Sequence, residues 1–298
     1  NTFSCLLAHV SISNKESQMF RGAGAAGASL LRRAASSRGA DRSVHTVLLM
    51  RHGESVWNLE NKFTGWFDVE LSAKGHEEAS EGGKLVAQEG LTFDVAYTSV
   101  LKRAIQTLDH ALFESDHMWI PVVKAWQLNE RHYGALQGLD KKETVEKHGK
   151  DQVQVWRRSY DVPPPELETT SHHYPGNDRR YQLLDEKCLP KTESLETTAA
   201  RVVPYWQSEI VPQIKQGKSI IIAAHGNSLR ALVQYLDGIS NEEIAELNIP
   251  TATPLVYHLD DHLNPIPSPD AIKPLQGRYL GDLDAIRQRI EGVKKQTG

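Results

Sequence analysis

Short apolar runs alternate with longer amphipathic stretches along most of this chain. The runs at 44–50 and 219–224 are partly β-branched, and each is followed by a segment that contains glycine. Buried parallel strands have this appearance. Two further strands are predicted at 93–98 and 255–259. Strands interleaved with helices indicate a three-layer α/β/α fold around a mostly parallel central sheet.

The helical stretches carry recognisable start and stop residues. Ser72 can cap a helix that runs to about Gln88, and Gly90 follows as a stop. Gly238 similarly ends a helix that begins near Leu229. Further helical spacing occurs at 100–113, 140–160, 193–216 (interrupted by Pro204 and Pro212) and 282–296.

Two proline-rich segments interrupt the alternation. The first, at 162–191, is long and irregular, and such excursions in compact domains are either functional lids or disordered. The second, at 264–277, contains four prolines and is interpreted as a surface loop.

The N-terminal 43 residues differ from the rest. No acidic residue occurs between Ser17 and Ala40, while arginines are scattered among Ala, Gly and Ser. This composition fits an organelle transit peptide or a disordered tail. We therefore predict a flexible or transit-like extension at 1–43 and a catalytic domain at 44–298. The predicted location is cytoplasmic, with a mitochondrion or other organelle as the alternative.

Composition narrows the functional classes. The chain has 298 residues, 39% of them apolar, and a formal charge of −4. That balance argues against a general binder of nucleic acid or anionic membranes, so a basic cluster would serve a small anion. Two cysteines are too few for a disulfide scaffold or a thiolate metal site. No apolar run approaches the length of a membrane span.

Two histidine tetrapeptides directly follow the strands predicted at 44–50 and 219–224: Arg-His-Gly-Glu at 51–54 and His-Gly-Asn-Ser at 225–228. The carboxyl ends of parallel strands form ligand crevices, so the two imidazoles can meet despite their separation in sequence. A neutral imidazole is a nucleophile for phosphorus, and a neighbouring guanidinium suits phosphate oxygens. We predict that His52 attacks, that His225 donates to the oxygens, and that Arg51 assists. The alternative is that both histidines are structural.

The wider motifs resemble cofactor-dependent phosphoglycerate mutase, of the histidine phosphatase superfamily. The similarity extends from about Thr46 to the C-terminal helix. The segment at 264–277 is longer than is usual in this family, which puts closure of the tail over the site in doubt. The matching segments are Arg-His-Gly-Glu (51–54), Phe-Thr-Gly-Trp (63–66), Thr-Ser-Val-Leu-Lys-Arg (98–103), Asn-Glu-Arg-His-Tyr-Gly-Ala-Leu-Gln-Gly (129–138), Trp-Arg-Arg (156–158) and Ala-His-Gly-Asn-Ser-Leu-Arg (224–230).

The resemblance implies interconversion of 3-phosphoglycerate and 2-phosphoglycerate, primed by 2,3-bisphosphoglycerate and without a metal, in a homodimer or homotetramer. His52 would be the phosphohistidine and Glu130 the acid/base for the substrate hydroxyl. His225, Arg51, Arg103, Asn58, Gly226 and Asn227 would surround the phosphoryl group. Thr64, Gly65, Tyr133, Lys141, Arg157 and Arg158 would hold the carboxylate and the second phosphate.

Elementary electrostatics supports several cations in such a site. A substrate with one phosphate and one carboxylate carries roughly three negative charges, which a single arginine would not balance. The rival functions are a bisphosphoglycerate mutase, which shares the machinery, and a histidine-type phosphatase. A non-catalytic scaffold is disfavoured because His52, Glu130 and His225 are all present.

Overall fold

A computed structural model describes residues 44–295, with side chains as far as residue 291. The extension predicted at 1–43 lies outside the described residues. Within the described part of the chain, no helix is both long and apolar enough to cross a membrane.

The centre of the fold is a six-stranded sheet in the order β3-β2-β4-β1-β5-β6. β1, β2, β3 and β4 pair in parallel, whereas β5 and β6 run antiparallel at one side. The predicted mostly parallel α/β sheet is therefore confirmed. Its strands are β1 (His45–Arg51), β2 (Val95–Thr98), β3 (Val122–Lys124), β4 (Ile220–Ala224), β5 (Leu255–Leu259) and β6 (Arg278–Tyr279).

Both faces of the central strands are covered, which explains their continuous apolar sequences. Successive side chains point to opposite faces. Val47 and Leu49 of β1 therefore join one core cluster, and Leu48 and Met50 join the other. All five residues of β4 are buried.

Ten α-helices surround the sheet among the described residues. Ser72 caps α2, because its side chain accepts the backbone N–H of Gly75, and Gly238 ends α8 with a φ of 64°. The helices are α1 (Val56–Leu59), α2 (Ala73–Gln88), α3 (Lys102–Glu114), α4 (Lys141–His148), α5 (Lys150–Arg158), α6 (Leu195–Tyr205), α7 (Val211–Lys215), α8 (Gly226–Asp237), α9 (Asn241–Glu246) and α10 (Leu283–Lys295).

Several elements differ from the sequence prediction. The stretch at 140–160 forms two helices, because Gly149 adopts a φ of 82° between them. A π-helical turn, Trp206–Ile210, separates α6 from α7. β3 and β6 were not predicted. The 264–277 segment is not wholly a surface loop, since Leu275 is buried in a core cluster.

The excursion at 162–191 consists largely of irregular chain with three short 3₁₀ turns, Pro175–Asn177, Arg179–Tyr181 and Glu186–Cys188. Its two ends meet, because the N–H of Leu167 donates to the carbonyl of Lys191 at 3.0 Å. It also contacts the segment after β3, where the N–H of Ala135 donates to the carbonyl of Pro165 at 2.9 Å. The excursion is therefore packed beside the residues that follow Glu130.

Candidate active site

The ends of β1 and β4 bring His52 and His225 together. Arg51 and Ala224, the last residues of the two strands, are paired in register. The backbone N–H of His52 then donates to the carbonyl of Ala224 at 2.9 Å. The two imidazole centroids lie 5.0 Å apart with an interplanar angle of 60°. A single phosphoryl group can therefore contact both rings.

His52 is oriented as a nucleophile. Its Nδ1 lies 2.7 Å from the carbonyl oxygen of Gly53. Because a carbonyl can only accept, the ring proton is on Nδ1 and the lone pair is on Nε2. Burial, with the charges of Arg103 and Arg51, lowers the pKa of His52 well below its ordinary value. The ring is therefore neutral near pH 7, as attack on phosphorus requires.

The second ring has a hydrogen-bond partner that the sequence analysis did not identify, Ser99. The Oγ of Ser99 lies 2.7 Å from Nε2 of His225 and also accepts the N–H of Leu101 at 3.1 Å. The hydroxyl proton is therefore available to Nε2, which leaves the ring proton on Nδ1. Nδ1 is buried without a partner among the described residues. Burial and the charge of Arg103 lower the pKa of His225, so the neutral ring offers one N–H to an oxyanion.

Two arginines beside the histidines are held by backbone carbonyls rather than by carboxylates. Arg51 donates to the carbonyl of Ile249 at 2.8 Å, and Arg103 donates to those of Phe67 and Gly65 at 3.0 and 2.8 Å. Burial lowers the pKa of Arg103 to about 10, so it remains charged near pH 7. Within the described chain neither guanidinium forms a salt bridge. Their charge is therefore available to an anion.

Glu130 is fixed through one oxygen only. Its Oε1 accepts the backbone N–H of Arg131 at 2.7 Å, and both the backbone N–H and the side-chain Nδ2 of Asn227, at 3.1 and 2.8 Å. Its Oε2 has no hydrogen bond among the described residues. A carboxylate with one anchored and one open oxygen is suited to exchange a proton at a defined position.

A second group of cations lies on α4 and α5. Lys141 begins α4, and Arg157 and Arg158 form the last turn of α5. Burial and the charge of Arg157 lower the pKa of Lys141 to about 8. Arg158 is oriented by the Oδ1 of Asn248, which accepts from it at 2.9 Å. These residues share one cavity with His52 and Glu130.

The structure brings together all the site residues predicted from the sequence. Apart from His225, whose ring centroid is 5.0 Å from that of His52, each of them lines a single cavity. Those lining residues are Arg51, His52, Asn58, Thr64, Gly65, Arg103, Glu130, Tyr133, Lys141, Arg157, Arg158, Gly226 and Asn227.

Sequence reasoning missed six other lining residues, which are Lys62, Phe63, Arg230, Leu247, Asn248 and Ile249. Arg230 is 5% exposed and donates from Nη1 to the Oδ1 of Asn227 at 2.9 Å. This bond turns the Nδ2 of Asn227 toward Glu130. Arg230 and Ser99 lie inside the motifs at 224–230 and 98–103, and their place in those motifs could have identified them. Nothing in the local sequence pointed to Asn248.

The two histidines and Glu130 also satisfy the geometric requirement for a metal site, since one ligand atom from each lies within 4.8 Å of the others. The local charges favour an anion instead. Arg103 and Arg51 disfavour the protonated form of both rings. The same positive field opposes a divalent cation and attracts a phosphoryl group.

A profile of the histidine phosphatase superfamily, branch 1, matches residues 47–265. The chain belongs to this superfamily. Similar solved structures include a phosphoglycerate mutase from Bacillus anthracis, with a TM-score of 0.56 and 20% identity, covering 83% of this chain and 97% of that one. A mycobacterial glucosyl-3-phosphoglycerate phosphatase has a TM-score of 0.55 and 17% identity, covering 79% of this chain and 96% of that one.

An alpha-ribazole phosphatase from Shigella flexneri is also similar, with a TM-score of 0.54 and 19% identity, covering 80% of this chain and 98% of that one. The structures similar to this superfamily member therefore include a mutase and phosphatases. At these identities the likeness establishes the fold, and the substrate has to be argued from the cavity.

Proposed function

We propose that this enzyme interconverts 3-phosphoglycerate and 2-phosphoglycerate through a phosphohistidine on His52, primed by 2,3-bisphosphoglycerate and without a metal. The observation that carries the proposal is that five of the cavity's seven cations fall into two groups. Arg51 and Arg103 lie beside the histidines, and Lys141, Arg157 and Arg158 lie on α4 and α5. The other two cations are Lys62 and Arg230. A substrate with an anionic group at each end matches that division.

The proposed first half-reaction uses His52, His225 and Glu130. The Nε2 lone pair of His52 forms a bond to phosphorus while the bond from phosphorus to the sugar-acid oxygen breaks. That oxygen keeps the electron pair and takes a proton from Glu130. Arg51, Arg103 and the Nδ1–H of His225 stabilise the phosphoryl oxygens. In the second half-reaction the other hydroxyl attacks the phosphohistidine and gives its proton to Glu130, while the bond from phosphorus to Nε2 of His52 breaks and Nε2 recovers its lone pair.

A mutase also has to protect its phosphohistidine from water while the intermediate reorients. The excursion at 162–191 supports this requirement, because it packs through Pro165 on the residues after Glu130. Trp57 and Phe67 stack at 4.3 Å between ring centroids, and His173 of the excursion meets the edge of Phe67 at 4.9 Å. These contacts join the excursion to the wall that carries Asn58 and Thr64.

The decisive experiment is a coupled assay on the purified chain with 3-phosphoglycerate, with and without trace 2,3-bisphosphoglycerate. We expect turnover to depend on the primer, because the unphosphorylated enzyme cannot donate a phosphoryl group. Release of inorganic phosphate without primer would identify the alternative, a histidine-type phosphatase, which the phosphatases among the similar structures favour. Faster formation of 2,3-bisphosphoglycerate from 1,3-bisphosphoglycerate would identify a bisphosphoglycerate mutase.

We further propose a homodimer or homotetramer, located in the cytoplasm. Support for self-association comes from apolar side chains that precede β3, an edge strand of the sheet: Phe113 near the end of α3, Met118 and Trp119 are 70%, 58% and 74% exposed. Exposed apolar side chains beside an unpaired strand edge are typical of an interface. Sedimentation of the wild type and of Trp119→Lys tests this, and a monomeric wild type would contradict it.

A further inference from the structure

A buried ion pair outside the catalytic cavity joins Glu193 to Arg201. The Nε and Nη2 of Arg201 donate to the two carboxylate oxygens of Glu193 at 2.7 and 2.8 Å. The two side chains are only 8% and 6% exposed. Neither residue lines the cavity that contains His52. The pair therefore has no direct contact with a substrate bound in that cavity.

The same two side chains hold the backbone that carries Glu130. Arg201 donates from Nη1 to the carbonyls of Gln127 and Asn129, at 2.7 and 3.0 Å, and from Nη2 to the carbonyl of Glu130 at 2.9 Å. The Oε2 of Glu193 accepts the N–H of His132 at 2.7 Å. Four backbone groups around Glu130 are thus bound by one ion pair. Bidentate, charge-assisted bonds of this kind fix both distance and direction.

The pair is itself attached to a rigid element. Arg201 is on α6, and Glu193 immediately precedes Ser194, whose side chain caps α6 in a reciprocal capping box. Helix α6 packs against α8, the helix that carries Asn227. Both supports of Glu130, the ion pair at its backbone and Asn227 at its Oε1, therefore belong to one packed helix pair. The segment just before Glu130, Trp126–Leu128, is only a short 3₁₀ turn. Glu130 itself therefore lies outside regular secondary structure.

We propose that the Glu193–Arg201 pair is a positioning unit for Glu130, which sets where its open Oε2 lies relative to the leaving oxygen. This inference rests on the proposed acid/base function of Glu130. An error of about 1 Å in such a group can cost on the order of 100-fold in rate. The pair affects proton transfer from Glu130 and has no effect on the attack of His52 on phosphorus.

Two phosphoryl donors separate these steps. When 2,3-bisphosphoglycerate phosphorylates His52, the departing alkoxide needs a proton from Glu130. When 4-nitrophenyl phosphate does so, the departing nitrophenolate is weakly basic and leaves without one. The N–P bond forms and the P–O bond breaks in both cases. When each donor is saturating, so that differences in binding do not enter the rates, the ratio of the two phosphorylation rates therefore reports proton donation.

The experiment measures single-turnover phosphorylation of His52 with each donor in the full chain. For Arg201→Lys and Glu193→Gln we expect the rate with 2,3-bisphosphoglycerate to fall by about 10- to 100-fold. With 4-nitrophenyl phosphate it should fall by less than about threefold. Lys retains the charge but cannot reach three carbonyls and a carboxylate together. Arg278→Lys, which weakens the remote Arg278–Glu89 ion pair, is the control and should leave both rates unchanged.

Equal losses with both donors would overturn the proposal, since a general structural defect lowers both rates together. Unchanged rates in both variants would overturn it as well. Glu130→Gln tests the underlying function separately. If Glu130→Gln shows no preference between donors, the acid/base function of Glu130 fails, whereas a preference in Glu130→Gln alone rejects only the positioning function of the ion pair.

Discussion

The two sides of the catalytic cavity are built in different ways. The proposed phosphoryl side, with His52 and His225, stands on the ends of β1 and β4, where backbone pairing places the two histidines next to each other. The proposed substrate side, with Glu130, Lys141, Arg157 and Arg158, stands on the chain between β3 and α6, which consists of short helices, 3₁₀ turns and irregular segments. Charged side chains bound to backbone carbonyls hold that side in place, as Arg201 does for Glu130.

This difference bears on how an enzyme with this fold can change its substrate and keep its reacting group in place. The reacting group needs a rigid frame, and the centre of a sheet supplies it. Recognition of the remainder of the substrate can change with the connecting segments, because their replacement leaves the sheet intact. The following predictions test this difference, in order of decreasing effect.

The largest effect is expected at the phosphoryl side. His52→Ala should abolish the acid-labile, base-stable phosphoenzyme formed with labelled 2,3-bisphosphoglycerate and reduce turnover by on the order of 10⁴-fold or more. His262→Ala, at an exposed position in the same chain, should keep both. Label that persists in the first variant would place the nucleophile elsewhere.

A smaller, different effect is expected at the substrate side. Arg158→Gln removes one charged anchor while His52 and its arginines stay in place. We expect KM for 3-phosphoglycerate to rise by about 10- to 100-fold, the worth of one charge-assisted bond. Single-turnover phosphorylation by saturating 4-nitrophenyl phosphate should be nearly unchanged. A parallel loss in both reactions would show that the two sides are not separable.

A matched pair of glycines tests how tightly the substrate side is packed. Gly134 has a φ of 56°, and a Cβ there would lie 2.1 Å from the carbonyl oxygen of Pro165. Gly90 has a φ of 69° with open space around it. Gly90→Ala should cost about 1 kcal/mol of unfolding free energy, from backbone strain alone. Gly134→Ala should cost about 3 kcal/mol, because overpacking is added. Equal losses of unfolding free energy in the two variants, measured by urea unfolding, would contradict the close approach of Pro165 to Gly134.

Acid should weaken the substrate side through His132. Burial lowers the pKa of this ring to about 4, against 6.5 when unfolded. Its neutral form therefore stabilises the fold fully above pH 6.5, and the contribution is lost as the pH falls toward 4. Between pH 7 and 5 the loss is about 2 kcal/mol. Urea unfolding of the wild type and His132→Gln at both pH values checks this, since the variant should lose less. Equal losses would show that His132 is not protonated on unfolding.

The smallest effect is expected on removal of metal ions. The positive field of Arg51 and Arg103 at the histidines opposes a bound dication, so EDTA should leave mutase turnover unchanged. Inhibition by EDTA that Mn²⁺ reverses would contradict the proposed chemistry at the phosphoryl side.

The phosphoryl side was largely predictable from sequence, and the substrate side much less so. Apolar strands followed at once by a histidine motif determine both the position and the direction of His52 and His225, because a strand end has few ways to leave a sheet. Ser99 was not predicted, because its partner, His225, is 126 residues away in sequence. Its function depends on the pairing of β2 with β4, which no local pattern shows.

On the substrate side, individual residues were predicted through family resemblance, but their supports were not. Lys141 and Arg158 were expected, whereas Asn248 and Arg201 were not, because the partner of each is distant in sequence. Asn248 accepts from the guanidinium of Arg158, 90 residues away, and Arg201 donates to the carbonyl of Asn129, 72 residues away. β3 escaped for a different reason: its residues are Val122–Lys124, which are exposed and too few to produce a pattern. Gly149 split a predicted helix because a single positive φ interrupts a run that is otherwise helical in spacing.

The hydrogen bond from the His52 amide to the carbonyl of Ala224 joins the proposed nucleophile to the residue just before His225. A local opening that separates the two rings must break this bond together with the neighbouring strand pairs. The amide deuteron uptake of His52 should accordingly be among the slowest in the molecule, approaching the rate of global unfolding. The enzyme thus keeps its two histidines in register for as long as the central sheet survives.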